Sequence, residues 1–274
     1  STWGIALHAL VAAVLVIMLF PFYWMAMASI KPFGEFINPG AAPLWVAAPT
    51  LEHYKTLLTT TLFPRWFINS SLVATSSTLI SLVISILAGY AIGVFRFPGA
   101  GLITTIVLVS YLVPRTLLFI PMTAIVNNMG LSDSLWAMVV TYPTFLVPFG
   151  TWLLAGFFRA LPTDLEECAR IDGCNRIQAM CKIMLPLAQP GIISATIFAF
   201  TLSWAEFLYG SAFVSSDTLR TLPAGILVGL VRGDVFFWGP LMAASLLASL
   251  PVALVYSFFV NQYVSGLTAG AVKG

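Results

Sequence analysis

Residues 7–30 read LHALVAAVLVIMLFPFYWMAMASI, a run with one histidine and no Asp, Glu, Lys or Arg. A helix needs about 20 predominantly apolar residues to cross roughly 30 Å of hydrocarbon. This stretch supplies them, and it lacks the period-two alternation that marks a half-buried strand. Lipid offers no partner to backbone N–H and C=O groups, so a spanning segment must be a helix or part of a closed barrel. Five more runs of this kind follow, at about 67–94, 101–126, 135–158, 190–214 and 238–264. The reading is an all-α, polytopic membrane protein with six transmembrane helices, forming a single domain over residues 1–274.

Composition agrees. The chain is 59% hydrophobic and 8% charged, against roughly 25% charged in soluble domains. A net charge of +2 carried by dispersed basic residues excludes nucleic-acid binding. Cys168, Cys174 and Cys181 lie six and seven residues apart, which matches no zinc spacing and, being odd in number, no disulfide framework. They read as small, semi-apolar residues on helix faces. No basic n-region or cleavage site precedes the first run, so it is expected to stay in the membrane.

The connections differ. Residues 31–66 form a loop with Pro32, Pro39, Pro43, Pro49 and Pro64, residues 95–100 make a tight turn, and residues 159–189 carry the densest charge in the chain. Within the spans, Pro21, Pro114, Pro121, Pro143, Pro148 and Pro251 each remove a backbone donor and invite a kink. Basic residues divide evenly between the two sides. Those in short loops weigh most, and Arg159, Arg170, Arg176 and Lys182 place 159–189 in the cytoplasm, with both termini on the same side.

That loop reads as two short amphipathic helices. Thr163 with Glu166 forms a capping box, so a helix starts near Asp164 and stops at Gly173. Leu165, Cys168 and Ala169 are expected on its apolar face, with Glu166, Glu167 and Arg170 wet. Asn175 with Gln178 caps a second helix, whose stripe is Ile177, Met180, Cys181 and Met184 and whose end is Pro186. A helix pair like this could also lie on a membrane surface.

Spacing adds a further identification. Glu167-Cys168-Ala169, then Gly173, then Ile183-Met184-Leu185-Pro186 resembles the EAA loop of binding-protein-dependent ABC importer permeases, with Cys168 where alanine is usual. The likeness covers most of the chain. Ser29-Ile30-Lys31-Pro32, Ala88-Gly89-Tyr90-Ala91, Asn128-Met129-Gly130-Leu131, Arg220-Thr221-Leu222-Pro223 and the terminal Ala269-Gly270-Ala271-Val272-Lys273-Gly274 all resemble the maltose-type carbohydrate permeases. Ala205, in Trp204-Ala205-Glu206-Phe207, stands where such relatives often carry asparagine.

The resemblance implies the type I importer permease fold in a bacterial or archaeal inner membrane. It also implies a second permease subunit, two ATPase subunits and an extracytoplasmic solute-binding protein as partners. Glu166, Glu167, Cys168, Ala169, Asp172, Gly173, Ile183, Leu185 and Pro186 would couple to the ATPase, with Glu167 contacting its socket. The tail from Gly266 onward would reach between ATPase subunits or fray. No cofactor is expected on this chain, since no G-x-x-x-x-G-K-[ST] loop is present; ATP and Mg²⁺ would sit on the partner.

Two charges fall inside apparent spans, where ionised groups are costly and functional by default. Glu206, flanked by Trp204 and Tyr209, could meet a sugar ring, and Arg115 after Pro114 is placed near the outer mouth; a structural partnership within the bundle is the alternative for both. A secondary transporter is the competing function, since intramembrane carboxylates also relay ions. His8 and His53 are the only histidines, and no catalytic set is visible. The particular solute is not legible.

Overall fold

The structure is a computed structural model that describes residues 2–36, 38, 44–95, 97–162, 164–232 and 235–271. Contacts within the chain define two compact units, one of Ser1–Phe67 with Leu222–Pro251 and the other of Ile68–Thr221 with Val252–Gly274, where a single domain is expected from sequence. Two long helices contribute to both, which is why hydropathy gives no boundary.

In the first unit α1 spans Thr2–Ile30, followed by two short helices in the proline-rich loop, α2 (Phe33–Phe36) and α3 (Glu52–Thr59). The side chains of α1 from residue 5 to 24 are almost all exposed, the state of a helix whose solvent is lipid or another subunit. Only its last turn is tied down. Thr50 N–H donates to the Ile30 carbonyl at 2.8 Å, His53 Nε2 lies 2.7 Å from the Lys31 carbonyl, and the Ser29 and Tyr54 hydroxyls are 2.8 Å apart.

The second unit begins within α4 (Phe63–Val94), which continues into α5 (Ala100–Tyr111), α6 (Arg115–Asn128), α7 (Leu135–Thr141) and α8 (Pro143–Ala160). The 159–189 loop folds as α9 (Asp164–Ile171), α10 (Arg176–Ala179), a π-turn (Met180–Met184) and α11 (Leu185–Leu187). Next come α12 (Gln189–Trp204), α13 (Leu208–Phe213) and a 3₁₀ turn at Asp217–Leu219. The chain then returns to the first unit with α14 (Leu222–Leu230) and a two-residue hairpin, β1 (Val231–Arg232) and β2 (Val235–Phe236), before α15 (Trp238–Ala271). The antiparallel hairpin, in register Val231↔Phe236, departs from the all-α expectation only locally.

Four stretches are continuous helix long and apolar enough to cross a membrane: Gly4–Ile30, Phe63–Val94, Leu135–Ala160 and Trp238–Val260. The remaining two expected spans are broken. At Leu112–Pro114 the chain bends by 89° between α5 and α6. Pro114 supplies no N–H and disfavours helical geometry in Val113 before it. The fifth span, taken as 190–214, is interrupted after Trp204; α12 has 16 residues, about 24 Å at 1.5 Å per residue. Pro21, Pro121, Pro148 and Pro251 by contrast all sit within helices.

The core of the second unit is built on α8, which packs between α5 and α12. Gly89 and Gly93 of α4 form a small-xxx-small step that lets backbones approach closely. A Cβ on Gly89 would lie 2.9 Å from Leu154 Cβ, and one on Gly93 2.8 Å from Phe158 Cβ. Polar side chains add ties along the same helix: Ser77 Oγ is 3.4 Å from Ser203 Oγ, and Ser85 Oγ donates to the Val147 carbonyl at 3.3 Å. In the first unit Gly225 and Gly229 of α14 lie against the Trp66 ring.

Candidate functional site

The loop after α8 is shaped by capping. Thr163, half of the first expected capping box, lies outside the described residues. Helix α9 nonetheless starts at Asp164 with Glu166 and Glu167 in its first turn and Arg170 in its last, the charge order that suits a helix dipole. It ends as expected at Gly173, whose φ is +90°. Gly173 N–H donates to the Arg170 carbonyl at 3.1 Å and Cys174 N–H to the Ala169 carbonyl at 3.0 Å, the paired bonds of a Schellman cap. The second capping box closes fully: Gln178 N–H donates to Asn175 Oδ1 at 2.8 Å, and Asn175 N–H to Gln178 Oε1 at 2.9 Å.

Which faces are buried differs from the sequence reading. Glu166 and Ala169 point inward with Leu165 half-buried, while Cys168 is exposed. Glu167, Arg170, Asp172 and Gly173 are on the outer surface as expected. In the second helix Ala179, Met180 and Met184 are buried, but Ile177 is 70% exposed and Cys181 is also outside. The cause is the π-turn. Leu185 N–H reaches back five residues to the Met180 carbonyl, so the helix phase slips and a stripe counted at 3.6 residues per turn misses. Ile183 and Leu185 are half-buried, and Pro186 does not end the helix but sits in the first turn of α11. The break comes at Ala188, where the Arg176–Leu187 and Gln189–Trp204 segments meet at 80°.

Two residues that the sequence reading left out of the surface stand on it. Ile171 is 84% exposed, and with Ile177 it presents large apolar side chains among Asp164, Glu167, Arg170 and Asp172. Ile171 follows Ala169 by two positions, about 200° around a helix, so its outward aim is legible from the phase alone. Apolar side chains rimmed by charge on a polar loop mark a surface for another protein.

The intramembrane charges assemble at a second place. Glu206, in the break between α12 and α13, accepts the Tyr142 hydroxyl at 2.8 Å and the backbone N–H groups of Tyr209 and Gly210 at 3.0–3.1 Å. Its carboxylate thus caps α13, replacing the intrahelical partners that the first N–H groups of a helix lack. Tyr209 is 1% exposed against Tyr142, Phe145 and Phe213, and its hydroxyl donates to the Arg115 carbonyl at 3.1 Å. The Arg115 guanidinium lies 5.0 Å from the Phe145 ring centroid, and its side chain is exposed. Arg115, Glu206 and Tyr209 therefore belong to one cluster. Trp204 does not join it: it is 5% exposed and stacks on Phe200 at 5.8 Å. Neither ring offers an open face to a sugar, in contrast to the sequence expectation.

Opposite the α6 start, Asp133 holds a second clamp. Its carboxylate accepts Ser215 N–H at 2.9 Å, Ser216 N–H at 2.8 Å and the Ser216 hydroxyl. These hydrogen bonds, from Ser216 above all, pull its pKa below the usual aspartate value.

An intramembrane helix bundle with broken spans and a capped, charged loop is the architecture of an importer permease. Residues 81–268 match the family described as binding-protein-dependent transport system inner membrane component, and the chain belongs to that family. It is the multi-pass, inner-membrane permease subunit of an ABC importer, a translocation subunit whose ATPase is a separate chain. The ion-coupled alternative falls with that membership.

Among similar chains is the inner membrane ABC transporter permease protein YcjP of Escherichia coli, 37% identical over 268 residues, covering 96% of this chain and 94% of that one. The sulfoquinovosyl glycerol transport system permease protein SmoH of Agrobacterium fabrum is 36% identical, with 99% and 95% covered. The trehalose/maltose transport system permease protein MalG of Thermococcus litoralis is 35% identical, with 94% and 93% covered. In fold the chain matches one from a bacterial ABC transporter involved in import of the acidic polysaccharide alginate, with a TM-score of 0.82, 19% identity and 96% of both chains covered.

Proposed function

We propose that this permease imports a sugar or sugar-like solute. It does so as one half of a heterodimer, with two cytoplasmic ATPase subunits that hold ATP and Mg²⁺ and an extracytoplasmic protein that delivers the solute. Support for the solute class comes from relatives named for trehalose/maltose, diacetylchitobiose and sulfoquinovosyl glycerol transport. Both termini and the loop at 164–187 face the cytoplasm. The loop docks on the ATPase through Glu167, Ile171, Asp172 and Ile177, and Gly173 sets its aim. The carrying observation is the loop's outer surface, where charged side chains surround exposed Ile171 and Ile177.

Of the intramembrane residues, Arg115 is the one whose side chain is open to a passing solute. Glu206, Tyr209 and Trp204 shape the path by holding the break between α12 and α13, and the partner permease provides most solute contacts. Native thiols give a direct test of docking and topology. Cys168 and Cys181 are exposed, so an impermeant thiol reagent should label them in inverted vesicles of the permease alone and leave them unlabelled in right-side-out vesicles. Assembly with the ATPase should protect them. Labelling from outside would overturn the topology, and undiminished labelling in the full complex would overturn the docking surface. Solute-stimulated ATP hydrolysis by the complete complex across a sugar panel tests the cargo.

A further inference from the structure

Glu166 is 8% exposed, which a charged side chain on a solvated loop does not require. Its carboxylate faces the phenol of Tyr90 on α4, a residue 4% exposed whose hydroxyl stops short of a formed hydrogen bond. A buried hydroxyl beside a buried carboxylate is a bond waiting for a small approach, and once closed it is charge-assisted and strong.

The neighbourhood holds both partners ready. Phe95 and Phe158 meet the Tyr90 ring edge-on at 5.3 and 5.6 Å. The Arg176 guanidinium of α10 lies 4.8 Å from the Phe95 centroid. Met180 and Met184 of the π-turn bury in the same cluster as Tyr90 and Phe158. Helix α9 thus reaches this end of α4 through Glu166, and α10 reaches it through Arg176 stacked on Phe95. Below them the Gly89 and Gly93 contacts leave α4 no room to slide on α8.

We propose that Tyr90 and Glu166 form a latch between the coupling loop and α4. Pressure from the docked ATPase drives α9 toward α4 and closes the Tyr90–Glu166 hydrogen bond, while Arg176 on Phe95 keeps α10 in place. The closed latch makes α4 follow the loop, so ATP turnover becomes helix movement. Both are positioning residues that touch neither solute nor nucleotide. This inference rests on the coupling role given to 164–187 above.

The test uses the complete reconstituted importer with its binding protein, reading solute imported per ATP hydrolysed beside the amount of co-purified ATPase. Tyr90→Phe removes one oxygen and keeps the ring contacts. It should lower the import-to-hydrolysis ratio about tenfold, a factor that one hydrogen bond to a charged group supports, with ATPase retention unchanged. Glu166→Ala should match it, and the double variant should be no worse than either single, since a shared bond is lost only once. Glu166→Gln keeps a carbonyl acceptor and should recover most of the ratio. A wild-type ratio in Tyr90→Phe, or multiplied losses in the double variant, would overturn the latch. Should Glu166→Ala fail to insert, the Tyr90→Phe ratio alone decides. Defective import by Gly173→Val beside a normal Tyr90→Phe ratio refutes only the latch, whereas normal import by Gly173→Val refutes the coupling role beneath it.

Discussion

Replacing Gly93 by alanine adds one methyl group at the tightest point between α4 and α8. The new Cβ would meet Phe158 Cβ at 2.8 Å, the Ala155 carbonyl oxygen at 2.9 Å and Arg159 N at 3.2 Å. Ordinary carbon contacts lie at about 3.5–4.0 Å, so the helices must part by roughly 1 Å along several turns. Overpacking of this kind costs about 1–3 kcal/mol. Alanine returns about 1 kcal/mol through helix propensity, which leaves a net loss where two backbones meet. Gly156, on α8 itself, has nothing within 4 Å of its virtual Cβ, so Gly156→Ala keeps the propensity gain without the clash. Thermal unfolding of the purified complex in one detergent should therefore show Gly93→Ala below wild type and Gly156→Ala at or above it. Equal midpoints for Gly93→Ala and wild type, or a fall in both variants, would refute close packing of α4 on α8.

Other outcomes follow from the sites. Gly173→Val forces a side chain into left-handed geometry at a cost of about 1–2 kcal/mol, too little to unfold the bundle; it and Glu167→Lys should insert normally yet import poorly, measured as uptake per inserted permease. Glu206→Gln weakens the acceptor of four hydrogen bonds and should cost about 1–3 kcal/mol. Uptake should then fall in step with folded complex, and a larger fall in uptake at equal folded complex would put the carboxylate in contact with solute. Asp133 has a pKa lowered from 3.8 in the folded state, so its clamp is fully present above that value and is lost as pH falls below it through the folded pKa. Proteolytic protection of residues 215–220 should drop on acidification past that point in wild type, and should already be low at neutral pH in Asp133→Asn.

Residues that follow local rules were legible in the sequence. The membrane spans announce themselves through uninterrupted apolar runs, and Gly173 and the Asn175–Gln178 box declare helix ends through chemistry confined to a few neighbours. What was not legible depends on contacts remote in sequence. Glu206 reads as a lone charge in a span because its donor Tyr142 is 64 positions away and its other donors belong to a helix that its own break creates. Glu166 reads as solvated because the aromatic cluster that buries it comes from α4 and α8. The apolar stripe of the second loop helix was misplaced for a different reason, a turn of altered pitch that hydrophobic periodicity assumes away.

The π-turn at Met180–Met184 gives this loop an angular setting as well as a chemistry. An α-helix advances about 100° per residue, and a π-turn absorbs one residue beyond that pitch without breaking the rod. Deleting a single residue there, such as Lys182, would restore ordinary pitch. It would swing α10 by about a quarter turn relative to α12, carrying Ile177 away from the direction in which Ile171 points while leaving both side chains intact. Any partner that reads the two isoleucines together is therefore sensitive to length at this turn in a way that no substitution within it reproduces. The interval between the Gly173 cap and the Ala188 bend acts as a phase-setting spacer, whose residue count matters as much as its composition.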